Sequence, residues 1–278
     1  MLDRRGFVTG LGSLLAWAAM RPVHGGTGLD LDDQTDFLTA ITKMRGSTDE
    51  RLVMGWVIGT RYAVVDHKAT PMWGILAGTF SQYRRIREDA YEARALELAF
   101  FTDLASGRLL ENWDNPFTGR RIEVPMIRMG PSTFVVTAEG LTVTTAAGEA
   151  VGMDIRHRFK PAVVHRDQVW ITEEINVAGT PPGPEAKPFA YNEMSTYHAL
   201  KSDLDDPAQP SVPTQVQFQS LVTWRPWMGF GDTPGHTTAR GSGLRAASIE
   251  EFPADYLDLA ERFHPDVLDD PLAALEPD

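Results

Sequence analysis

Polar side chains fall on both faces of residues 189–201 if this segment forms a β-strand. Residues two apart share one face of a strand, so Tyr191, Glu193 and Tyr197 would lie together with Ser195. A strand that only separated a core from solvent would carry apolar residues on one face. We therefore expect one face to line a polar cavity, with Glu193 and Tyr197 as catalytic candidates and Tyr191 as a ligand contact.

A second candidate, Glu97, shares its predicted strand face with Ala95, Ala99 and Phe101. Burial among such neighbours would raise the pKa of the carboxyl group and suit it to general acid or base catalysis. Glu173 lies on a comparable apolar strand face. The alternative is that such glutamates form structural ion pairs with an arginine on a neighbouring strand, and the chain offers Arg61, Arg84, Arg94 and Arg156.

Residues 224–236 combine two tryptophans, a phenylalanine and a methionine with glycines and prolines that bend the backbone. The composition predicts a loop that closes over a pocket. Its charged residues, Arg225, Asp232 and His236, would supply acid and base groups and stabilise negative charge. The predicted ligand contacts are Trp224, Trp227, Phe230 and, from another segment, Tyr62. An aromatic plug that seals one end of a barrel is the alternative.

Several classes of cofactor chemistry lack their sequence motifs. The chain has no cysteine, and it carries neither a glycine-rich dinucleotide motif nor a P-loop, a nucleophile elbow or a paired-histidine zinc motif. We expect no cofactor and no bound metal. The histidines show no metal-ligand spacing, although convergence of His67, His198 and His236 in space with a carboxylate stays open as a minor alternative.

The elements that must position these groups are mostly strands. About ten candidate strands follow one another without intervening helices, which predicts a closed antiparallel β-barrel, lipocalin-like or similar, or a sandwich. Two amphipathic helices are predicted at about 33–45 and 249–264, the second with a capping box formed by Ser248 and Glu251. We expect residues 27–278 to form one barrel domain on which both helices pack.

The start of the chain predicts its location. Arg4 and Arg5 precede an apolar run from Phe7 to Met20, too short to span a bilayer and typical of a twin-arginine signal peptide over residues 1–26. The twin-arginine export machinery is thus an expected partner, and the expected location is the periplasm. A plain secretory leader is the alternative. The formal charge of −12 argues against nucleic acid as a partner, and we expect no membrane insertion.

Two groups of motifs carry a family resemblance. They are Asp103 with Ser106-Gly107, followed by Trp113 and 115–119 (Asn-Pro-Phe-Thr-Gly), and the tryptophan-rich segment with Gly231-Asp232. Together they resemble the bacterial family catalogued as domain of unknown function 1838, over about residues 48 to 265. The resemblance implies one β-rich domain with the tryptophan-rich segment as a hallmark, and it carries over no catalytic residue.

The leading functional hypothesis is an exported, cofactor-independent lyase, isomerase or dehydratase that acts on a small apolar or aromatic molecule. One specific form is a retro-aldol-like loss of formaldehyde or water from an aromatic diol. The competing hypothesis is a non-catalytic, lipocalin-like carrier with an almost wholly apolar pocket. An envelope interaction module and a metal-dependent enzyme are further alternatives, and formation of a homodimer is left open.

Overall fold

The structure, a computed structural model, describes residues 28–145, 153–180 and 187–276. The predicted leader, residues 1–26, lies outside the described residues. The helices in these ranges are α1 (Gln34–Arg45), α2 (Lys201–Asp205), α3 (Ala254–Phe263) and α4 (Pro265–Asp269). The strands are β1 (Val53–Val65), β2 (Lys68–Arg87), β3 (Ala90–Thr102), β4 (Asn112–Asp114), β5 (Arg121–Glu123), β6 (Ile127–Val136), β7 (Leu141–Thr145), β8 (Asp154–Phe159), β9 (Val163–His165), β10 (Gln168–Gly179), β11 (Phe189–Leu200), β12 (Gln215–Val222) and β13 (His236–Ala246).

Ten of these strands form one antiparallel wall in the order β7-β6-β3-β2-β1-β13-β12-β11-β10-β8, and β9 pairs with β10. The wall curls until β7 meets β8, where the backbone N–H of Phe159 donates to the carbonyl of Glu139 at 3.0 Å. The backbone N–H of Leu141 donates to Nδ1 of His157 across the same seam, at 2.9 Å. The protein is therefore a nearly closed barrel with flanking helices, which confirms the predicted architecture.

In the part of the chain that the structure describes, strand pairing covers the seam only in part. Pairing between β6 and β7 begins at Thr133, so within the described residues 127–132 of β6 have strand neighbours only on the β3 side. Met129 pairs with Glu97 on the inner face of the wall, yet 52% of its surface is exposed. An inward-facing residue keeps that much exposure only beside an opening. We call this part of the wall, next to Met129, the mouth.

Helix α1 closes one end of the barrel. Asp33 caps the helix by accepting hydrogen bonds from the backbone N–H groups of Thr35 and Asp36. The apolar face of α1, with Phe37 and Ile41, packs against inward-facing residues such as Phe159, Ile171 and Val216. The last residue of the helix, Arg45, reaches into the barrel.

Helices α3 and α4 cover the outer face of β2 and β3. Tyr256 lies directly over Gly78, where an added Cβ would stand 2.2 Å from the tyrosine oxygen. The predicted start of this region was wrong, because Ser248 begins only a short 3-10 helix over Ile249–Glu251 without a side-chain cap. Pro253 favours extended backbone at Phe252, so the turn ends there and α3 begins at Ala254.

The tryptophan-rich segment closes the other end of the barrel. Met228 and Phe230 pack with Trp73, Phe101 and Ala239 from the inner face of the wall. The hairpin β4–β5 covers this cluster from outside as a separate two-stranded sheet. Residues 112–123 thus form a hairpin outside the wall, and the chain enters the wall again at β6.

The turn at 115–119 joins the β4–β5 hairpin to the tryptophan-rich segment. Asn115 donates from Nδ2 to the carbonyl of Met228 at 3.0 Å, and Thr118 donates to the carbonyl of Gly229 at 3.1 Å. Gly229 has a φ of 69°, a conformation that favours glycine. The motifs that suggested the family resemblance thus contact one another in the fold.

Strand β13 completes the wall between β1 and β12, and the strand pattern did not predict it. Gly243 lies so close to β1 that an added Cβ would stand 1.7 Å from the carbonyl oxygen of Trp56. A side chain cannot be accommodated at that distance. The glycines that allow this close approach also weaken the sequence signal for a strand.

Candidate functional site

Side chains alternate between the two faces of each strand, and two groups of polar residues point into the barrel. Arg61 on β1 is paired with Ala239, which is paired with Ser220, and Ser220 with Glu193, so these positions share the inner face. We call Arg61, Glu97, Tyr191 and Glu193, with Ser195, the carboxyl cluster. Arg45, His157, Glu173 and Tyr197 form a second group, the ion-pair cluster.

Glu97 lies on the inner face of β3, opposite Thr79 and next to Met129 at the mouth. The residue is largely buried and retains some solvent-accessible surface. Burial and the charge of Glu193 raise the pKa of Glu97 to about 7, against the opposing effect of Arg61. This agrees with the pKa increase that its strand face predicts.

Glu193 is bonded through both of its carboxyl oxygens. Tyr191 donates its hydroxyl to Oε2, and Ser195 donates to Oε1 at 3.0 Å. Burial raises the pKa of Glu193, although the hydrogen bond from Tyr191 works in the opposite direction. Burial and the nearby carboxylate of Glu193 raise the pKa of Tyr191 well above its ordinary value, so the phenol stays protonated and acts as a donor.

Arg61 is the cation of the carboxyl cluster. Its Nη1 donates to Oγ1 of Thr237 at 2.9 Å, whereas its Nε is buried without a partner. Within the described residues, no carboxylate oxygen lies within 4.0 Å of this guanidinium group. Burial lowers the pKa of Arg61, and the neighbouring Tyr191 opposes that effect. A buried N–H that lacks an acceptor is costly unless something else accepts its hydrogen bond.

The ion-pair cluster is held by direct contacts, although Nη1 of Arg45 is buried without a partner. Glu173 lies 3.0 Å from Nε of Arg45, accepts a hydrogen bond from Tyr197 at 2.9 Å and meets Nε2 of His157 at 2.7 Å. Burial by itself would raise the pKa of Glu173, but Arg45 and His157 hold it at about 2. The ion-pair alternative is therefore realised at Glu173, with a helix residue, Arg45, in place of the expected strand arginines.

His157 has a fixed role in this cluster. Its Nδ1 accepts the backbone N–H of Leu141, so in the neutral ring the proton lies on Nε2, which donates to Glu173. The ring also meets Phe159 edge to face with centroids 5.0 Å apart. These contacts make His157 a structural residue that ties β8 to β7 and β10.

The candidates of the tryptophan-rich segment belong to the plug. Trp224 stacks on Phe230 with ring centroids 3.7 Å apart and donates from Nε1 to the carbonyl of Thr233 at 2.8 Å. Trp227 packs against Trp73 at 5.6 Å. These contacts correspond to the plug that the sequence left as an alternative, and they hold the three aromatic rings at the end of the barrel.

The remaining candidates lie at different depths. Arg225 packs over Phe189 at 4.2 Å and is close enough to Arg61 to lower the pKa of that residue. Asp232 is exposed and paired with Lys187 at 2.6 Å. His236 and Tyr62 alternate with the inward-facing Thr237 and Ala63, so they belong to the outer face of the wall. The structure therefore unites Glu97, Glu193 and Tyr191 with Arg61, and separates Asp232, His236 and Tyr62 from them.

Two important residues were not among the sequence candidates. Arg61 was considered only as an ion-pair partner, although it shares the inner face of β1 with Gly55, Val57 and Gly59. Its isolated charge on that otherwise small and apolar face is a usable signal. Arg45 carried no comparable signal, because its position in the barrel depends on how α1 docks.

A shallow groove on the outer face of β10–β12 is a less suitable site. Its carboxylate, Glu174, lies 3.1 Å from Nζ of Lys160 and also pairs with Arg158. That pairing lowers the pKa of Glu174 below its ordinary value. Glu174 is therefore ionised near neutrality, unlike Glu97 in the interior, whose pKa is about 7.

Two further properties concern metals and membranes. In the described ranges, no group of three or more histidine, aspartate or glutamate residues is arranged to hold a metal ion. Among the helices in those ranges, none combines the length and apolarity needed to cross a membrane.

The model of a family described as a protein of unknown function, DUF1838, matches residues 49–278. No curated protein matches the chain.

Proposed function

The chain belongs to the DUF1838 family, whose description assigns no activity, and we propose from its interior site that it is an enzyme of acid–base chemistry. The reaction class is a lyase, isomerase or dehydratase without an organic cofactor. One observation carries the proposal: Glu97, with a pKa of about 7, faces the barrel interior beside Glu193 and Arg61. A carboxyl group poised near neutrality both takes and returns protons.

The two carboxyl groups divide the work. When one is ionised and the other protonated, the first removes a proton from the substrate and the second delivers one, as in other carboxyl pairs in which like charge keeps one member neutral. Tyr191 and Ser195 hold Glu193 in place through its two oxygens. The plug and α1 cover the two ends, so the interior excludes most bulk water and the mouth beside Met129 admits the substrate.

The substrate class follows from the walls. Inward-facing Val57, Phe218 and the aromatic plug offer apolar surface around the polar groups, which suits a small apolar or aromatic molecule with an oxygen function. Loss of formaldehyde from an aromatic diol is one reaction of this kind. The base removes the hydroxyl proton, the carbon–carbon bond breaks as formaldehyde forms, and the acid protonates the carbon left behind.

A carrier of an apolar ligand is the second candidate. It requires a pocket lined almost entirely by apolar groups, since buried charges weaken binding of a hydrocarbon. Glu97, Glu193 and Arg61 on the inner face favour the enzyme over the carrier.

Glu97→Gln tests the enzyme directly. Purified protein is incubated with a panel of aromatic diols and β-hydroxycarbonyl compounds, and released formaldehyde or loss of water is measured by mass spectrometry. For a compound that wild type converts, we expect Glu97→Gln and Glu193→Gln to lower kcat by about 10²–10⁴. The control, Glu88→Gln, changes an exposed glutamate at the β2–β3 turn and keeps wild-type turnover. Wild-type turnover by Glu97→Gln contradicts the proposal.

We also propose that residues 1–26 direct export through the twin-arginine machinery to the periplasm. The support is the Arg4-Arg5 pair before the apolar run. Residues 1–26 fused to a folded fluorescent reporter are expected to deliver it to the periplasm. Replacing both arginines by lysine keeps the charge and is expected to retain the reporter in the cytoplasm, while unchanged export identifies an ordinary secretory leader.

A further inference from the structure

Arg61 is a buried cation with an unused hydrogen-bond donor. Nη1 is bonded to Thr237, but Nε is buried and has no acceptor. The group lies on the inner face, enclosed by protein and still partly accessible to solvent. Nε itself has almost no solvent-accessible surface, so the accessible part of Arg61 belongs to its other atoms.

The negative groups around Arg61 stand at a distance from it. Glu97, Glu193 and Tyr191 all affect the pKa of Arg61, and yet no described carboxylate is within 4.0 Å. Arg45, in the same barrel, lies 3.0 Å from its carboxylate. The arginine and the two carboxyl groups of the carboxyl cluster thus act on one another electrostatically without an ion-pair contact, unlike Arg45 and Glu173.

Charge determines which atom of a bound molecule faces Arg61. Guanidinium groups donate hydrogen bonds and accept none, so the partner of Nε is an acceptor, and a charged oxygen gives the strongest such bond. Arg225 lies close enough to Arg61 to act on it electrostatically, which adds positive charge on the same side. With one of the two carboxyl groups protonated, positive charge exceeds negative charge around this point.

We infer that Arg61 binds the substrate oxygen on which negative charge develops, and that the substrate is a phenol or an enolisable carbonyl compound. The inference rests on the proposed function and names its substrate class. Proton removal by an ionised carboxylate leaves the electron pair on the phenol or enol oxygen, where the guanidinium group of Arg61 donates a hydrogen bond to it. Return of the proton, to oxygen or carbon, restores the charges. Arg61 thus takes the role that the sequence suggested for Arg225.

A 4-nitrophenol titration measures this without any turnover, because the phenolate absorbs visible light and the neutral phenol does not. We expect wild type to bind 4-nitrophenol and to increase its phenolate fraction at a pH below the pKa of the free phenol. Arg61→Gln is expected to reduce phenolate binding at least about tenfold. Arg240→Gln, which changes an exposed arginine on the outer face of β13, is expected to behave as wild type.

Two further measurements separate the possible failures. If Arg61 binds the phenolate oxygen, Glu97→Gln is expected to bind phenolate as wild type does. Turnover by this variant tests the proposed enzyme, and its phenolate binding tests the oxygen site, so the two proposals can fail separately. In wild type, the ¹⁵N resonance of the Arg61 Nε–H is expected to shift when 4-nitrophenol is added. This measurement needs no variant, so it still tests the inference if the Arg61→Gln protein does not fold. Absence of binding, binding as the neutral phenol, an unmoved Arg61 resonance or wild-type phenolate binding by folded Arg61→Gln each overturns the inference.

Discussion

Two glutamates face the same barrel interior with opposite surroundings. Glu173 has an arginine, a histidine and a tyrosine within 3.0 Å, and its pKa is held at about 2. Glu97 lies beside a second carboxyl group and an arginine at longer range, and its pKa rises to about 7. Burial is common to both, so the partners decide the charge. The first arrangement holds elements together, and the second can exchange a proton.

The comparison also separates the two buried arginines. Arg45 arrives from α1 and is bonded to Glu173 and Tyr197, so it joins a helix to the wall. Arg61 belongs to the wall itself and keeps a free Nε. Nη1 of Arg45 is also buried without a partner, so the two arginines differ in the carboxylate that Arg45 contacts at 3.0 Å and that Arg61 lacks among the described residues.

The substitution Glu173→Gln is expected to have the largest effect on stability of those that test the difference between the two clusters. The neutral amide leaves Arg45 as an unpaired buried cation, so we expect a loss of about 3–5 kcal/mol in the free energy of unfolding. Urea unfolding followed by circular dichroism measures it. The double variant Arg45→Met/Glu173→Gln removes both charges and is expected to recover part of the loss. A single variant as stable as wild type contradicts the structural role of the pair.

The same substitution in the two clusters gives a matched test. Tyr197→Phe removes a donor to ionised Glu173, with an expected loss of about 1.5–3 kcal/mol. Tyr191→Phe removes a donor to Glu193, with an expected loss of about 0.5–1.5 kcal/mol. Without that hydrogen bond the pKa of Glu193 rises further, which moves the pH profile of activity toward higher pH. If Tyr197→Phe and Tyr191→Phe lose the same stability, the two clusters do not differ in the strength of these hydrogen bonds.

The pH dependence of stability has opposite signs at the two glutamates. The folded pKa of Glu173 lies below 4.5, so its contribution is present above pH 4.5 and disappears as the pH falls toward about 2. The folded pKa of Glu97 lies above 4.5, so it costs stability as the pH rises from 4.5 to about 7. Glu97→Gln is therefore expected to exceed wild type by about 1–2 kcal/mol at pH 8, with no gain at pH 4.

Unfolding curves of wild type and Glu97→Gln at a series of pH values measure that difference. Glu88→Gln serves as the control, because an exposed carboxyl group has little effect on either side of the range. A constant difference between pH 4 and pH 8 contradicts the raised pKa of Glu97.

Direct titration sharpens the contrast without changing stability. In protein labelled with ¹³C at glutamate carboxyl carbons, we expect the resonance of Glu97 to titrate near pH 7 and that of Glu173 to stay at its ionised value down to about pH 2. Assignment uses the two glutamine variants. A Glu97 resonance that titrates near the ordinary pKa of a glutamate places its side chain in water.

The sequence predicts those site residues whose positions follow from side-chain alternation along a single strand. Period two along β3 and β11 places Glu97, Glu193 and Tyr191 on buried faces, because that pattern is local. The proximity of Arg61 to them depends on pairing between β1 and β13, which is not local. Strand β13 itself is hidden by the glycines that its packing requires. The docking of Arg45 depends on a helix whose amphipathic face was predicted but whose position in the barrel was not.

The partly covered seam also has a mechanical consequence. A barrel that is open along part of its length widens and twists more easily than a closed one, because no hydrogen bonds join the two strands on either side of the opening. Here the opening lies beside Met129, and the hydrogen bonds of Leu141 and Phe159 close the barrel where β7 meets β8. We therefore expect β6 and β8 to move apart more easily than paired strands do, with every ladder of the ten-stranded wall intact.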